Sequence, residues 1–172
     1  MSKRATRKLI FVCTGNYYRS RLAEVLFNHY ASKCHLEWAA SSRGLMKVGD
    51  IQGLSPTTIA YLERRQLSEL ADTTRDPIVL KVEDLETANL IVALNREEHE
   101  KMLKQQFGQI PGILHRGGKL RYWNVYDLPP ESNWLSQLLG TSPSAGGQRE
   151  ESGTEHIDFA VQALVYELKA SG

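Results

Sequence analysis

The octapeptide CTGNYYRS, running from Cys13 to Ser20, holds the parts of a phosphoryl-transfer site. A cysteine thiolate is a strong nucleophile, and it is favoured where positive charge converges on the sulfur. A loop that leads from a strand end into a helix supplies that charge twice. Its backbone N–H groups form an anion nest, and the helix dipole adds partial positive charge at the same place. Thr14, Gly15, Asn16, Tyr17 and Tyr18 make up the body of such a loop. Gly15 and Asn16 are the residue types that best tolerate the left-handed backbone a tight nest needs. Arg19 offers a planar fork that grips two phosphate oxygens at once, which lysine cannot do. The Ser20 hydroxyl follows directly and is suited to hydrogen-bond the sulfur anion. The chemistry implied is attack of sulfur on a phosphate ester.

The flanking residues predict the elements this loop requires. KLIFVC, residues 8–13, is a short apolar run that reads as a buried, parallel strand. From Arg21, Leu22, Val25, Leu26 and Tyr30 recur at helical spacing. A second strand is expected over 36–41, and a helix opens with Ser55 as cap and Pro56 in its first position. NLIVAL, residues 89–94, is a third strand. Asn95 and Glu98 then form a capping box for a helix that Gly108 stops. Residues 121–125 read as a fourth strand, 132–139 as a short helix and 140–153 as a flexible loop. Thr154 caps a last helix with Ile157, Val161, Leu164 and Leu168 on one face. Strands alternating with helices predict an α/β fold: one domain over residues 1–172, a central, mostly parallel four-stranded sheet with helices on both faces, and a basic tail at 1–7. Ligands in such sheets bind beyond the carboxyl ends of the strands, where Cys13 sits.

Bulk composition narrows the function further. The 172 residues are 41% hydrophobic and 24% charged with a net charge of +1, which gives no global electrostatic case for nucleic acid or membrane as partner. No apolar run approaches membrane-span length, and a cytoplasmic location is expected. Two cysteines build no disulfide framework, the five histidines are scattered, and neither a metal site nor a cofactor is expected. Cys34 reads as a packing residue.

FVCTGNYYRSRLAE resembles the signature of the low-molecular-weight protein tyrosine phosphatase family: a cysteine, then x-Gly-Asn-x-x-Arg-Ser and, shortly after, Ala-Glu. SSRGL, residues 41–45, is similar to that family's second-strand Ser-x-Gly segment, and NLIVALNREEHEKM resembles its buried strand and acidic helix start. The resemblance implies Cys13 as nucleophile, Arg19 as phosphate clamp, Asn16 as loop organiser and Ser20 as thiolate partner. Ser42, or its neighbour Ser41, would be the hydrogen-bond partner of Asn16. Two departures stand out in the loop. Tyr18 replaces a cysteine that often precedes the arginine, and Arg21 replaces a proline, a change of little expected consequence.

A phosphate monoesterase also needs a group to protonate the leaving oxygen and then activate water. The resemblance implies an Asp-Pro late in the chain, and VYDLPP, residues 125–130, supplies Asp127 with Leu128 before the proline. Asp76 and Asp158 are the weaker rivals. Tyr17, Tyr18 and Tyr126 are candidate aromatic walls for an aryl phosphate, with Trp123 and Trp134 alongside. The expected substrate is a phosphorylated protein or a small aryl phosphate, with oligomeric state left open. Two alternatives stand. One is an arsenate reductase of the same fold, which would need external thiols because only Cys34 is spare. The other is a non-catalytic phosphate-binding module, to which the altered DLPP segment points.

Overall fold

The structure, a computed structural model, describes residues 6–125 and 144–172, with side chains over 6–125 and 153–172. Within that span the order is β1 (Arg7–Cys13), α1 (Arg19–Lys33), β2 (Trp38–Gly44), α2 (Pro56–Arg64), a 3₁₀ turn (Ser68–Leu70), α3 (Val82–Thr87), β3 (Leu90–Ala93), α4 (Arg96–Phe107), α5 (Ile110–Arg116), β4 (Leu120–Tyr122) and α6 (Ser144–Ala170). The four strands lie in the order β2-β1-β3-β4, and every pairing is parallel. β1 is therefore central. The expected mostly parallel sheet is wholly parallel among the described residues.

Strand parity decides where the site forms. Alternate residues of a strand face opposite sides. Leu9, Phe11 and Cys13 point into the cluster with Leu22, Leu26, Phe27, Ile157 and Val161, the side of α1 and α6. Ile10 and Val12 point into the other cluster with Leu85, Leu103 and Leu120, the side of α3 and α4. Both faces are buried, which is why β1 reads as an unbroken apolar run rather than an alternating one. The Cys13 side chain continues the α1 side at the end of the strand, so its sulfur emerges beside the N-terminus of α1.

α6 is fastened to α1 and α2 by a buried carboxylate. Asp158, 2% exposed, accepts hydrogen bonds from Tyr30 Oη (2.7 Å), Tyr61 Oη (2.5 Å) and Gln162 Nε2 (2.9 Å), and Arg65 reaches it at 2.8 Å. Burial by itself would raise the Asp158 pKa, but those donors and the Arg65 charge outweigh it and hold the carboxyl below its usual range. Asp158 is thus committed to helix packing.

Several element bounds depart from expectation. Arg7 belongs to β1 rather than to the tail, because it pairs with Trp38 and stacks over that ring at 5.6 Å. α1 begins at Arg19 rather than Arg21. β2 is shifted toward its C-terminus and ends at Gly44, opposite Cys13. β4 ends at Tyr122, after which Asn124 forms an antiparallel bridge with Asn95. α6 begins at Ser144, so 144–153 is helical rather than part of a loop. Once a docked helix exists, each further turn needs only propagation, and Gln148, Arg149, Glu150 and Glu151 are good helix formers. The helix expected at 132–139 lies outside the described residues, as do residues 140–143 of the expected loop.

Candidate active site

The five residues between β1 and α1 bring the predicted loop together. Cys13 Sγ lies 3.0 Å from Ser20 Oγ, within reach of a hydrogen bond to a sulfur anion. Asn16 takes the left-handed backbone at φ 53°, and its side chain compensates for the strain. Its Nδ2 donates to Ser20 Oγ at 3.0 Å and to Ser42 Oγ at 2.8 Å, while Oδ1 accepts the Ile78 N–H at 2.9 Å. Of the two serines expected to hold Asn16, Ser42 is the partner. β2 clasps the loop from the side, with Leu45 N–H on the Cys13 carbonyl at 2.9 Å and Met46 N–H on the Thr14 carbonyl at 3.0 Å. Gly44 permits this approach. A Cβ there would stand 2.9 Å from both Asn16 N and the Gly15 carbonyl carbon.

Beneath the loop the bonding continues into residues that the loop motif does not mark. Ser42 Oγ donates to Glu24 Oε2, and Arg75 donates to both Glu24 (2.7 Å) and Ser42 (3.2 Å). Arg21, expected to be an incidental departure, is buried. It donates to the carbonyls of Asp72 (2.7 Å), Arg75 (2.9 Å) and Gly53 (3.3 Å), and so fixes the segment that carries Arg75. A proline at that position would supply none of these donors. The Ala-Glu that follows the loop was the available signal for Glu24. Arg75 carried no local signal.

Arg19 is 1% exposed, and a charge so buried requires partners. It donates to the Val125 carbonyl at 2.9 Å, and its Nη2 reaches Glu98 Oε2 at 2.9 Å. Burial pushes the Glu98 pKa up, but hydrogen bonding and charge from Arg19 outweigh this and hold it below the usual carboxylate range. Next to Glu98, His99 is fully buried. The backbone N–H of Asn95 donates to His99 Nδ1 at 3.0 Å, which leaves the ring proton on Nε2, 3.3 Å from Thr14 Oγ1. The 3.6 Å approach of His99 to Glu98 is accordingly not an ion pair. Burial first and the Arg19 charge second, opposed by Glu98, lower the His99 pKa from 6.5 to about 4. A depressed histidine pKa means that the unfolded chain binds the proton more readily. The stabilisation is therefore complete above about pH 6.5 and is lost as pH falls through about 4. Denaturant midpoints measured from pH 7 down to pH 4 are expected to show a loss of about 3 kcal/mol from this group, and His99→Asn is expected to flatten that slope.

The remaining expectations divide cleanly. Tyr17 is half-buried in the loop and keeps its candidacy as a wall. Tyr18 is 5% exposed and packs in the core, so its side chain is not a substrate wall. Trp123 packs inward, 5.6 Å from Phe11, and Cys34 packs partly buried against the same core. Asp76 borders a groove of about 410 Å³ together with Gly15, Met46, Val48 and Asp50. Tyr126, Asp127 and Trp134 lie outside the described residues. Among the described residues no cluster of His, Cys, Asp or Glu has the arrangement to hold a metal ion, and no helix is long and apolar enough to cross a membrane.

Comparison with known proteins agrees with this geometry. Residues 8–116 match the family described as low molecular weight phosphotyrosine protein phosphatase. An arsenate reductase of Shouchella clausii (strain KSM-K16) is 30% identical over 129 residues, which span 70% of this chain and 86% of that protein. A solved low molecular weight phosphotyrosine phosphatase from Vibrio cholerae O395 superposes with a TM-score of 0.72 at 17% identity, over 96% of this chain and 99% of its own. A mutant YwlE arginine phosphatase with a phosphorylated active-site serine superposes with a TM-score of 0.65 at 21% identity, over 94% of this chain and 95% of its own.

Proposed function

Because the chain belongs to the low molecular weight phosphotyrosine protein phosphatase family, we propose that it hydrolyses phosphotyrosine, in protein or as a small aryl phosphate, through a cysteinyl-phosphate. The observation that carries this reading is the placement of Cys13 Sγ at the strand end, 3.0 Å from Ser20 Oγ, in a loop locked by left-handed Asn16. The Cys13 thiolate attacks phosphorus, the S–P bond forms, and the P–O bond to the aryl group breaks. Arg19 and the loop amides hold the non-bridging oxygens throughout. The Asp127 carboxyl gives its proton to the leaving oxygen. In the second step the Asp127 carboxylate takes a proton from water, whose oxygen bonds to phosphorus, and sulfur departs as thiolate stabilised by Ser20. Support for Asp127 comes from the chain just before it. The Val125 carbonyl, two residues before Asp127 in sequence, accepts a hydrogen bond from the clamp arginine at 2.9 Å. The phosphorylated serine of the YwlE mutant supports a covalent phosphoryl intermediate on this fold.

A second reading, arsenate reduction, is favoured by the Shouchella clausii relative. Only Cys34 is spare, so that reaction would draw its electrons from an external thiol. Aryl phosphate hydrolysis in EDTA from pH 5 to 8 separates the two. Turnover is expected to be indifferent to the chelator, and kcat is expected to fall about 10²–10⁴-fold in Asp127→Asn. Inert wild type that forms arsenite from arsenate in the presence of a thiol would establish the second reading instead.

A further inference from the structure

Glu98 stands at the position where a capping-box residue would fold back onto the N-terminus of α4, and it does not do so. The Asn95 side chain accepts the Glu98 N–H at 3.1 Å, which is one half of the box. The other half is absent, because the Asn95 N–H is taken by His99 Nδ1 at 3.0 Å. The Glu98 carboxylate is thereby released from its helix and turned onto the loop. Oε2 accepts from Arg19 Nη2 at 2.9 Å and from Thr14 Oγ1 at 3.5 Å, and Oε1 accepts from Arg19 Nη1 at 3.4 Å. One carboxylate therefore bridges the residue that follows the nucleophile and the arginine that closes the loop. The pair is asymmetric in burial, with the Arg19 side chain 2% exposed and that of Glu98 37% exposed. Solvent reaches the carboxylate, while the charge it opposes is fixed in place.

We propose that Glu98 acts as a counter-charge to Arg19: bridged to the clamp from the α4 side, its carboxylate weakens the loop's grip on phosphate so that product is released. The proposal rests on the reading of this loop as a phosphate site. A guanidinium already bridged by a carboxylate presents less net positive potential to a second anion. Two like charges separated by the width of a guanidinium, about 6 Å, at an effective dielectric of about 20 to 40 shift a binding equilibrium by about ten- to a hundredfold. A strut and a counter-charge predict opposite signs. Removing a strut loosens the clamp and weakens phosphate binding, whereas removing a counter-charge tightens it.

The test is the dissociation constant of inorganic phosphate at pH 7, measured by calorimetry on wild type, Glu98→Gln, Glu98→Ala and Glu98→Asp. Glu100→Gln serves as a charge control on the same helix, since Glu100 pairs with Arg96 across one turn. Both neutral variants are expected to bind phosphate about tenfold more tightly. Glu98→Asp and Glu100→Gln are expected to stay near wild type. Equal or weaker binding by the neutral variants overturns the proposal, and so does a wild type that binds no phosphate. A wild type that binds phosphate without hydrolysing aryl phosphate removes the proposed activity but leaves the Glu98 result to be read on its own.

Discussion

Cys13→Ser is expected to lower aryl phosphate turnover by about 10⁴–10⁶-fold, the scale of loss when a nucleophile is removed from an enzyme that relies on covalent catalysis. The substitution changes one atom at the end of β1 and leaves the surrounding scaffold in place. Asn16, Ser42 and Ser20 make their bonds to one another whatever atom stands at the centre. Folding and phosphate binding are therefore expected to survive while chemistry stops. A serine hydroxyl is far weaker as a nucleophile at neutral pH because it is not ionised. Steady-state rates on aryl phosphate, paired with the phosphate dissociation constant of the same variant, measure both halves of this expectation.

The largest effect on stability is expected far from the loop. Asp158→Ala removes the acceptor shared by Tyr30, Tyr61, Gln162 and Arg65. Burial comes first among the causes that push the Tyr30 pKa up to about 12, and the hydrogen bond to Asp158 adds to it. Removing one member of a buried charged network costs about 3–5 kcal/mol, because the donors left behind lose their partner without regaining water. Urea unfolding is expected to show that loss. The kcat of the folded fraction is expected to match wild type, which also tests whether Asp158 takes any part as an acid. A fall in kcat without a fall in stability would contradict both conclusions.

What the sequence revealed depended on how far apart the interacting residues lie. The strand, loop and helix around Cys13 were legible because the motif is local and its neighbours show the right periodicities. The Ser55 cap with Pro56 was legible for the same reason, and Ser55 Oγ does accept the Thr58 N–H at 3.1 Å. The long-range partners were not. Arg75 is joined to Glu24 and Ser42 only by the fold, and Arg21 looked neutral because its acceptors are backbone carbonyls, which no side-chain pattern announces. The Asn95–Glu98 spacing fits a local cap, which places Glu98 on its own helix. His99, one residue on, displaced it by offering a better-placed acceptor to Asn95. The short helices α3 and α5 were missed because a run as brief as VEDLET or IPGILHR shows too little periodicity to stand out. Tyr18 exposed the same limit in reverse, since a tyrosine in a binding loop and a tyrosine in a core look alike in sequence.

The claim on which the rest depends is that phosphorus becomes bonded to Cys13. Rapid acid quench of wild type and Asp127→Asn during turnover of an aryl phosphate, followed by peptide mass analysis, tests it most directly. The account predicts one phosphoryl group on the peptide containing Cys13, accumulating further in Asp127→Asn if hydrolysis of the intermediate is slowed more than its formation. Steady hydrolysis by wild type with no phosphoryl group on that peptide at any quench time would contradict it.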